Sequence, residues 1–284
     1  MIQTKTRFSV FLNIFYTIIV LVVIAVTLLP VFFAVSSSLR SDAEIFHYAT
    51  PLSLHTFIPV QLTWDSYSQL FVEYTFWRPV LNSLIVATAT VLLGFIVNAL
   101  AGYAFAKFDF KGKNVLFLIY LFSFMIPFEM IAVPLYKTAE IFNLIDHYSA
   151  MVLPMAANGM IVFLYRQFFM DIPDSLMEAA TIDGAGKLRT FFQIIVPVSK
   201  PVIISASLML FIKQWDAFLW PMLATTKPAM KVIQVAISEF TLEFTILWNI
   251  IFAATVVAIL IPACVLLPLQ KYYIKGAAAS GLKE

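Results

Sequence analysis

From Phe8 to Leu39 the chain carries no charged side chain. A helix crosses the hydrocarbon core of a bilayer with about 20 apolar residues at 1.5 Å per residue, so this run suffices for a full span. It follows Lys5 and Arg7, as the apolar core of a signal peptide follows its charged start. Such a core is only about 7–15 residues long and ends at a small-residue cleavage site. Neither condition is met, and the run reads as a retained span. The whole chain agrees: 62% of its 284 residues are hydrophobic and 12% charged, against roughly 45–50% and 25% in soluble domains. A soluble fold has too little interior for that much apolar surface. The solvent of this chain is lipid.

Charged residues used as boundaries give six spans, near Phe11–Val35, Leu81–Ala106, Val115–Leu135, Ser149–Tyr165, Val202–Thr225 and Leu247–Gln270. Only helices and closed barrels satisfy the backbone in lipid, and these runs lack the two-residue alternation of barrel strands. The expected architecture is all-α and polytopic, with six transmembrane helices in a single membrane domain spanning 1–284. Basic residues concentrate on the cytoplasmic side. With the N-terminus inside, Lys5, Arg7, Lys107, Lys111, Lys113, Arg166, Lys187, Arg189, Lys200, Lys271, Lys275 and Lys283 are cytoplasmic. Arg40, Arg78, Lys137, Lys227 and Lys231 fall outside, and Lys213 lies within a span. Both termini are therefore expected in the cytoplasm. The external loop 40–78, with Trp64, Tyr67 and Trp77, reads as membrane-interface anchors or as a lid over a path.

The net charge of +2 gives no basis for nucleic-acid binding. Cys264 stands alone in an apolar run and reads as a small buried hydrophobe. His47, His55 and His147 are at no metal-ligand spacing, so no metal site is expected.

The one long cytoplasmic connection, 166–200, carries more signals than a linker needs. Pro173 stops the preceding helix, and Ser175 with Glu178 has the spacing of a capping box. A short helix with Ala179 and Ala180 on its surface follows. Gly184 falls where a helix C-terminus calls for a left-handed residue. Lys187 to Val196 is a second amphipathic stretch, with Phe191, Phe192, Ile194 and Ile195 apolar, ended by Pro197 and Pro201. An interfacial helix would show a basic polar face. This one is acidic and small-residued, which favours docking to a protein.

Glu178-Ala179-Ala180, then Gly184, Ile194 and Val196-Pro197 at their spacings, resemble the "EAA" loop of ABC importer permease subunits. Asp183-Gly184-Ala185 and Pro201 extend the likeness to the carbohydrate-uptake, maltose-type branch. Asn82-Ser83-Leu84, Ala104 to Gly112, Trp215 to Pro221 and Gln270 to Gly276 look like that branch too. Val196 stands where the family usually has Leu. The resemblance implies an ABC importer permease fold in a bacterial inner membrane. It implies a coupling helix seated in a cytoplasmic ATPase subunit through Glu178, Ala179, Ala180, Asp183, Gly184, Ala185, Ile194 and Pro197. It implies partners: two ATPase subunits, a second permease and an external solute-binding protein. The tail from Lys275 to Glu284 reads as a frayed end or, by the resemblance, as a segment reaching the ATPases.

Gly184-Ala-Gly186-Lys187 is not a phosphate-binding loop, because Leu188 and Thr181 occupy its Ser/Thr and Gly positions and no strand precedes it. ATP and magnesium are therefore expected on partner subunits, with no cofactor bound by this chain. No paired-carboxylate or nucleophile arrangement points to an enzyme. An ion-coupled secondary transporter is the alternative; it would place ionisable groups within the membrane, and Glu129, Lys213 and Asp216 alone qualify. Lys213, Trp215, Asp216, Phe218 and Trp220 form a polar and aromatic cluster in the fifth span. Lys213 and Asp216, three apart, share a helix face and can partly neutralise each other. The cluster lines a solute path or packs against a partner permease.

Overall fold

The computed structural model describes residues 7–241 and 246–281, with side chains placed for 12–241 and 246–270. Lys5 and Lys283 lie outside the described residues, as do the side chains of Arg7, Lys271 and Lys275. In chain order the helices are α1 (Arg7–Ser38), α2 (Asp42–His47), α3 (Leu54–Phe57), α4 (Asp65–Ser68), α5 (Trp77–Lys107), α6 (Lys113–Phe124), α7 (Phe128–Ile141), α8 (Tyr148–Ala156), α9 (Gly159–Met170), α10 (Asp174–Ile182), α11 (Lys187–Thr190), α12 (Val196–Val198), α13 (Lys200–Trp215), α14 (Leu219–Ala224), α15 (Ile233–Glu239) and α16 (Trp248–Gly281). Wide π turns at Gln69–Glu73 and Phe191–Ile195 extend α4 and bridge α11 to α12. No strand occurs among the described residues.

The first, second and sixth spans form as continuous helices, Leu12–Ser38, Trp77–Lys107 and Trp248–Gln270. The other three do not run straight. Val115–Leu135 breaks at Pro127, and α6 and α7 meet at 97°. Ser149–Tyr165 breaks at Ala157–Asn158, with α8 and α9 bent by 43°. In the fifth span, Val202–Thr225, the helix stops at Trp215 and restarts at Leu219. Its other end meets the stretch Lys187–Val198 at 86°. Charge boundaries locate a run of apolar residues but carry no information on breaks inside it. The backbone of α16 stays helical to Gly281, where a frayed tail was expected. Cys264 is exposed on α16 rather than buried, because a lipid-facing surface is apolar and needs no protein cover.

The contacts divide the chain into two compact units, 1–76 with 237–259 and 77–236 with 260–284. In the first, the shaft of α1 is almost wholly exposed. Its end is tied down by Arg40, which is 1% exposed and donates to the carbonyls of Ser36, His55 and Thr56 and to the Ser36 hydroxyl. The loop 40–78 is thus folded around a buried guanidinium. Asp42 accepts the amide of Asn249 at 2.8 Å, placing a carboxylate on the first turn of α16, where the helix dipole favours it.

The second unit is built on α5. Asn82, Ser83, Ala87, Thr90, Gly94, Asn98 and Gly102 are buried at three- and four-residue intervals, while Leu81, Ile85, Leu92 and Ile96 are exposed. This reverses a soluble amphipathic helix. Small and polar residues face protein, where close approach and hydrogen bonds join helices in lipid. Gly102 shows the need for space: a Cβ there would sit 2.6 Å from the Tyr165 Cβ and 3.1 Å from the Arg166 amide nitrogen. Helix α9 lies directly against the α5 backbone.

Candidate functional site

The segment 166–200 is grafted onto one end of this unit. Phe191 and Ile195 are fully buried with Tyr103 of α5, Tyr165 and Phe169 of α9, and Val202 and Ala206 of α13. Burying each such side chain contributes roughly 1.5–3 kcal/mol. Tyr165 stacks on Phe169 at 5.6 Å, and Phe191 meets Tyr103 at 5.1 Å. Cations close the rim: Arg166 lies 4.3 Å over the Phe117 ring and Lys187 4.5 Å over Phe108.

Helix α10 starts after Pro173 with no side-chain cap, so the expected capping box does not form. Asp174 instead binds Lys107 Nζ at 2.6 Å, and the same ammonium donates to the Ile172 carbonyl. The end of α5 and the start of α10 are pinned by one buried cation. At the other end of α10, Gly184 has φ +74°. The Ala185 amide donates to the Ala180 carbonyl at 2.8 Å and the Gly184 amide to Thr181 at 3.0 Å. This paired arrangement satisfies the last carbonyls of a helix and requires the left-handed residue.

One face of α10 is anchored through Ala180, which is 4% exposed. Glu178, Ala179, Asp183, Gly184 and Pro197 face outward, whereas Ala185 and Ile194 are half-buried. Ile182 and Leu188, which sequence reasoning did not single out, are 86% and 64% exposed. Their signal was available: apolar side chains flanking a glycine stop in a polar loop.

Along the rest of α5 a second apolar cluster, with Val86, Ala150, Met151 and Trp220 buried, is reinforced by side-chain hydrogen bonds to backbone groups. The break between α8 and α9 frees backbone groups, and Asn98 takes them. Its Nδ2 donates to the Gly94 and Ala156 carbonyls at 2.7 Å each, and its Oδ1 accepts the Asn158 amide at 2.8 Å. Pro154 removes the helical donor for the Ala150 carbonyl, and Trp220 Nε1 supplies one at 2.8 Å. Asn82 donates to the carbonyls of Ala229 and Lys231 and accepts from Tyr148 Oη, while Ser83 Oγ accepts the Ile233 amide. Asp146 receives the Thr226 hydroxyl at 2.6 Å and the Thr226 and Lys227 amides. These bonds hold its carboxyl below the usual carboxylate range.

The fifth-span cluster is dispersed by the helix break. Trp215 and Trp220 are buried, the former stacked on Phe211 at 5.8 Å. Lys213, Asp216 and Phe218 are exposed. Asp216 caps the end of α13, and no ion pair joins it to Lys213 among the described residues, so the expected neutralisation does not form. The break falls at Asp216–Phe218, ahead of Pro221. Glu129 lies exposed in the first turn of α7, just after Pro127. A cavity of about 230 Å³ opens between α5, α7, α13 and α14, lined by Thr90, Phe128, Lys213, Gln214, Phe218 and Trp220 among others. Lys213 and Leu210 also border a second cavity of about 390 Å³, beside Asn158 and Phe124. Thr90 and Gln214 were not expected at this site; a hydroxyl and an amide inside apolar spans were the available signal.

The chain is similar to known proteins over most of its length. Residues 91–276 match the model of the family described as binding-protein-dependent transport system inner membrane component. The chain is 28% identical to the arabinooligosaccharides transport system permease protein AraQ of Bacillus subtilis (strain 168), over all of both chains. It is 31% identical to the sn-glycerol-3-phosphate transport system permease protein UgpE of Yersinia pestis bv. Antiqua (strain Antiqua), over 95% of this chain and 97% of the relative. A chain from the crystal structure of a bacterial ABC transporter involved in the import of the acidic polysaccharide alginate superposes with a TM-score of 0.83 at 20% identity, covering 96% of this chain and 99% of that one.

Proposed function

The chain belongs to the binding-protein-dependent transport system inner membrane component family, and on that premise we propose that it carries part of the solute path of an ATP-driven sugar or oligosaccharide importer. The reading is supported by relatives named for arabinooligosaccharide and sn-glycerol-3-phosphate transport. It is supported also by a neighbouring fold from an alginate transporter crystallised with an alginate pentasaccharide-bound periplasmic protein. ATP and magnesium belong to partner ATPase subunits, a second permease completes the path, and a solute-binding protein delivers from outside. Both termini and the segment 166–200 face the cytoplasm.

One observation carries the mechanism. Helix α13 runs from the aromatic cluster under α10 to the cavity, and α5 runs from that cluster past the cavity, which it meets at Thr90. From Val202 to Lys213 is roughly 16 Å of helix at 1.5 Å per residue. A push on the outward face of α10, at Glu178, Ala179, Ile182 and Asp183, therefore reaches Thr90, Lys213 and Gln214 along two stiff rods. ATP binding and hydrolysis by the partners then bias the cavity between two openings.

The test is uptake together with ATPase activity in the assembled transporter. Gly184→Val meets no neighbouring atom and acts through the backbone alone, since a left-handed conformation costs an L-residue about 1–2 kcal/mol. Glu178→Lys reverses a docking charge. Both should insert normally, copurify ATPase weakly and lose coupled uptake. Tight coupling and full uptake in both variants would exclude α10 as the docking element.

A further inference from the structure

The cavity's polar equipment points to the charge of its occupant. Thr90 Oγ1 and Gln214 Nε2 are buried without a hydrogen-bond partner, in residues 1% and 7% exposed. A buried polar atom left unpaired is costly, and native structures retain few of them. Lys213 borders both cavities, and none of the residues lining either one carries a carboxylate. Lys213 makes no ion pair among the described residues. An ammonium within a span is expensive and is kept where it serves a pathway or a partner charge.

The walls complete the picture. Phe128 and Trp220 stand at 6.1 Å and 76° beside Phe218. Because Trp220 spends its N–H on Ala150, it offers the cavity only its apolar ring. Aromatic rings accept the C–H face of a sugar, and the amide and hydroxyl serve its hydroxyls. Neither meets a negative charge as Lys213 does.

Resting on the permease reading above, we propose that the cavity bounded by Thr90, Lys213 and Gln214 is a subsite for an anionic polyol, a uronate or a sugar or polyol phosphate, with Lys213 as counter-ion. Lys213 then selects by charge, and Thr90 and Gln214 bind hydroxyls of neutral and acidic solutes alike.

The experiment uses the assembled transporter in nanodiscs of phosphatidylcholine alone, so that no anionic lipid competes. Cys264 is replaced by Ser, and a probe thiol is introduced as Thr90→Cys or, should that variant misfold, Ala217→Cys. The rates of modification by an anionic (sulfonatoethyl) and a cationic (trimethylammonioethyl) methanethiosulfonate are compared, which cancels changes in thiol reactivity. The anionic-to-cationic ratio should fall about tenfold in K213Q, the lower end of what a charged cleft does to local ion concentration, and be restored in K213R. Digalacturonate or sn-glycerol 3-phosphate should slow the modification, and whichever protects better separates carboxylate from phosphate. Cellobiose at the same concentration should protect less. An unchanged ratio in K213Q, a thiol unreactive with and without ATP, equal protection by cellobiose or protection by neither anion each overturns the proposal. If an ATPase still copurifies in those cases, the importer reading stands and only the subsite falls. If no ATPase copurifies, the importer reading itself fails.

Discussion

The two ends of α5 solve opposite problems. At the Lys107 end, α9, the 166–200 segment and α13 meet it through rings and aliphatic side chains, and α5 itself is continuous there. At the Asn82 end, α8, α13 and α14 are short or broken, and Asn82, Asn98, Asp146 and Trp220 each repair a backbone interruption. In lipid a broken helix is tolerated only where other groups take up the freed donors and acceptors. Both ends are packed, and the Asn82 end depends in addition on bonds to freed backbone groups, which can be exchanged. That division suits an importer, in which one end receives a push and the other must open.

Four changes test this contrast. The largest effect should come from Gly102→Leu, whose side chain meets Tyr165 and the Arg166 backbone with no room to yield. It should cost more than about 3 kcal/mol, the upper end of ordinary overpacking, and abolish folded protein in gel filtration, with Gly102→Ala intermediate. Asn98→Ala removes two bonds at the helix break, each worth about 0.6–1.7 kcal/mol in a membrane, and one to its own helix. Unfolding by denaturing detergent should shift, yet ATPase copurification through α10 should survive. Loss of that copurification would show the two ends to be one cooperative unit. Trp220→Phe keeps an aromatic ring but deletes the donor to Ala150 and part of the buried indole volume, so it should cost at least about 1 kcal/mol in the same assay.

The smallest effect is a titration. The Thr226 hydroxyl and the Lys227 and Thr226 amides favour the charged Asp146 carboxyl, so its folded value lies below the ordinary 3.8. Such a group stabilises fully above its unfolded value, and the contribution is lost as pH falls through the folded one. Carbon NMR of labelled Asp146 should give a midpoint below 3.8 that moves back up in Thr226→Val. A midpoint at the ordinary value would remove this stitch from the contrast.

What was readable in the sequence divides along the same line. Pro173 and Gly184 act on their own backbone, so the start and the stop of α10 were legible from local chemistry, whereas Ala180, expected on its surface, is buried against the rest of the chain. The capping box read at Ser175 and Glu178 does not form, because the helix already starts at Asp174, whose carboxylate is held by Lys107, 67 residues away in sequence. The cavity was legible only as polar residues in apolar spans. Lys213 and the tryptophans stood out by residue type. Thr90 and Gln214 are as unremarkable in sequence as the Ser and Thr residues that merely bond their own helix, such as Thr255 to Ile251. Which of them faces a void depends on how the chain turns before α7 and after α13, and Glu129 and Asp216 beside those breaks do not say which way it turns. Six apolar runs remain in the fold, since three straight helices and two bent pairs occupy five of them and α13 with α14 occupies the fifth run.

The bareness of α1 has a consequence of another kind. From Leu12 to Leu29 nearly every residue faces away from its own chain, so no neighbour within the protein dictates which apolar residue stands where. Such a stretch is specified by composition rather than by order. Scrambling the apolar residues of Ile18 to Leu29 among themselves leaves every requirement of the chain itself satisfied. Any sensitivity to their order would be a fingerprint left by a molecule other than this one.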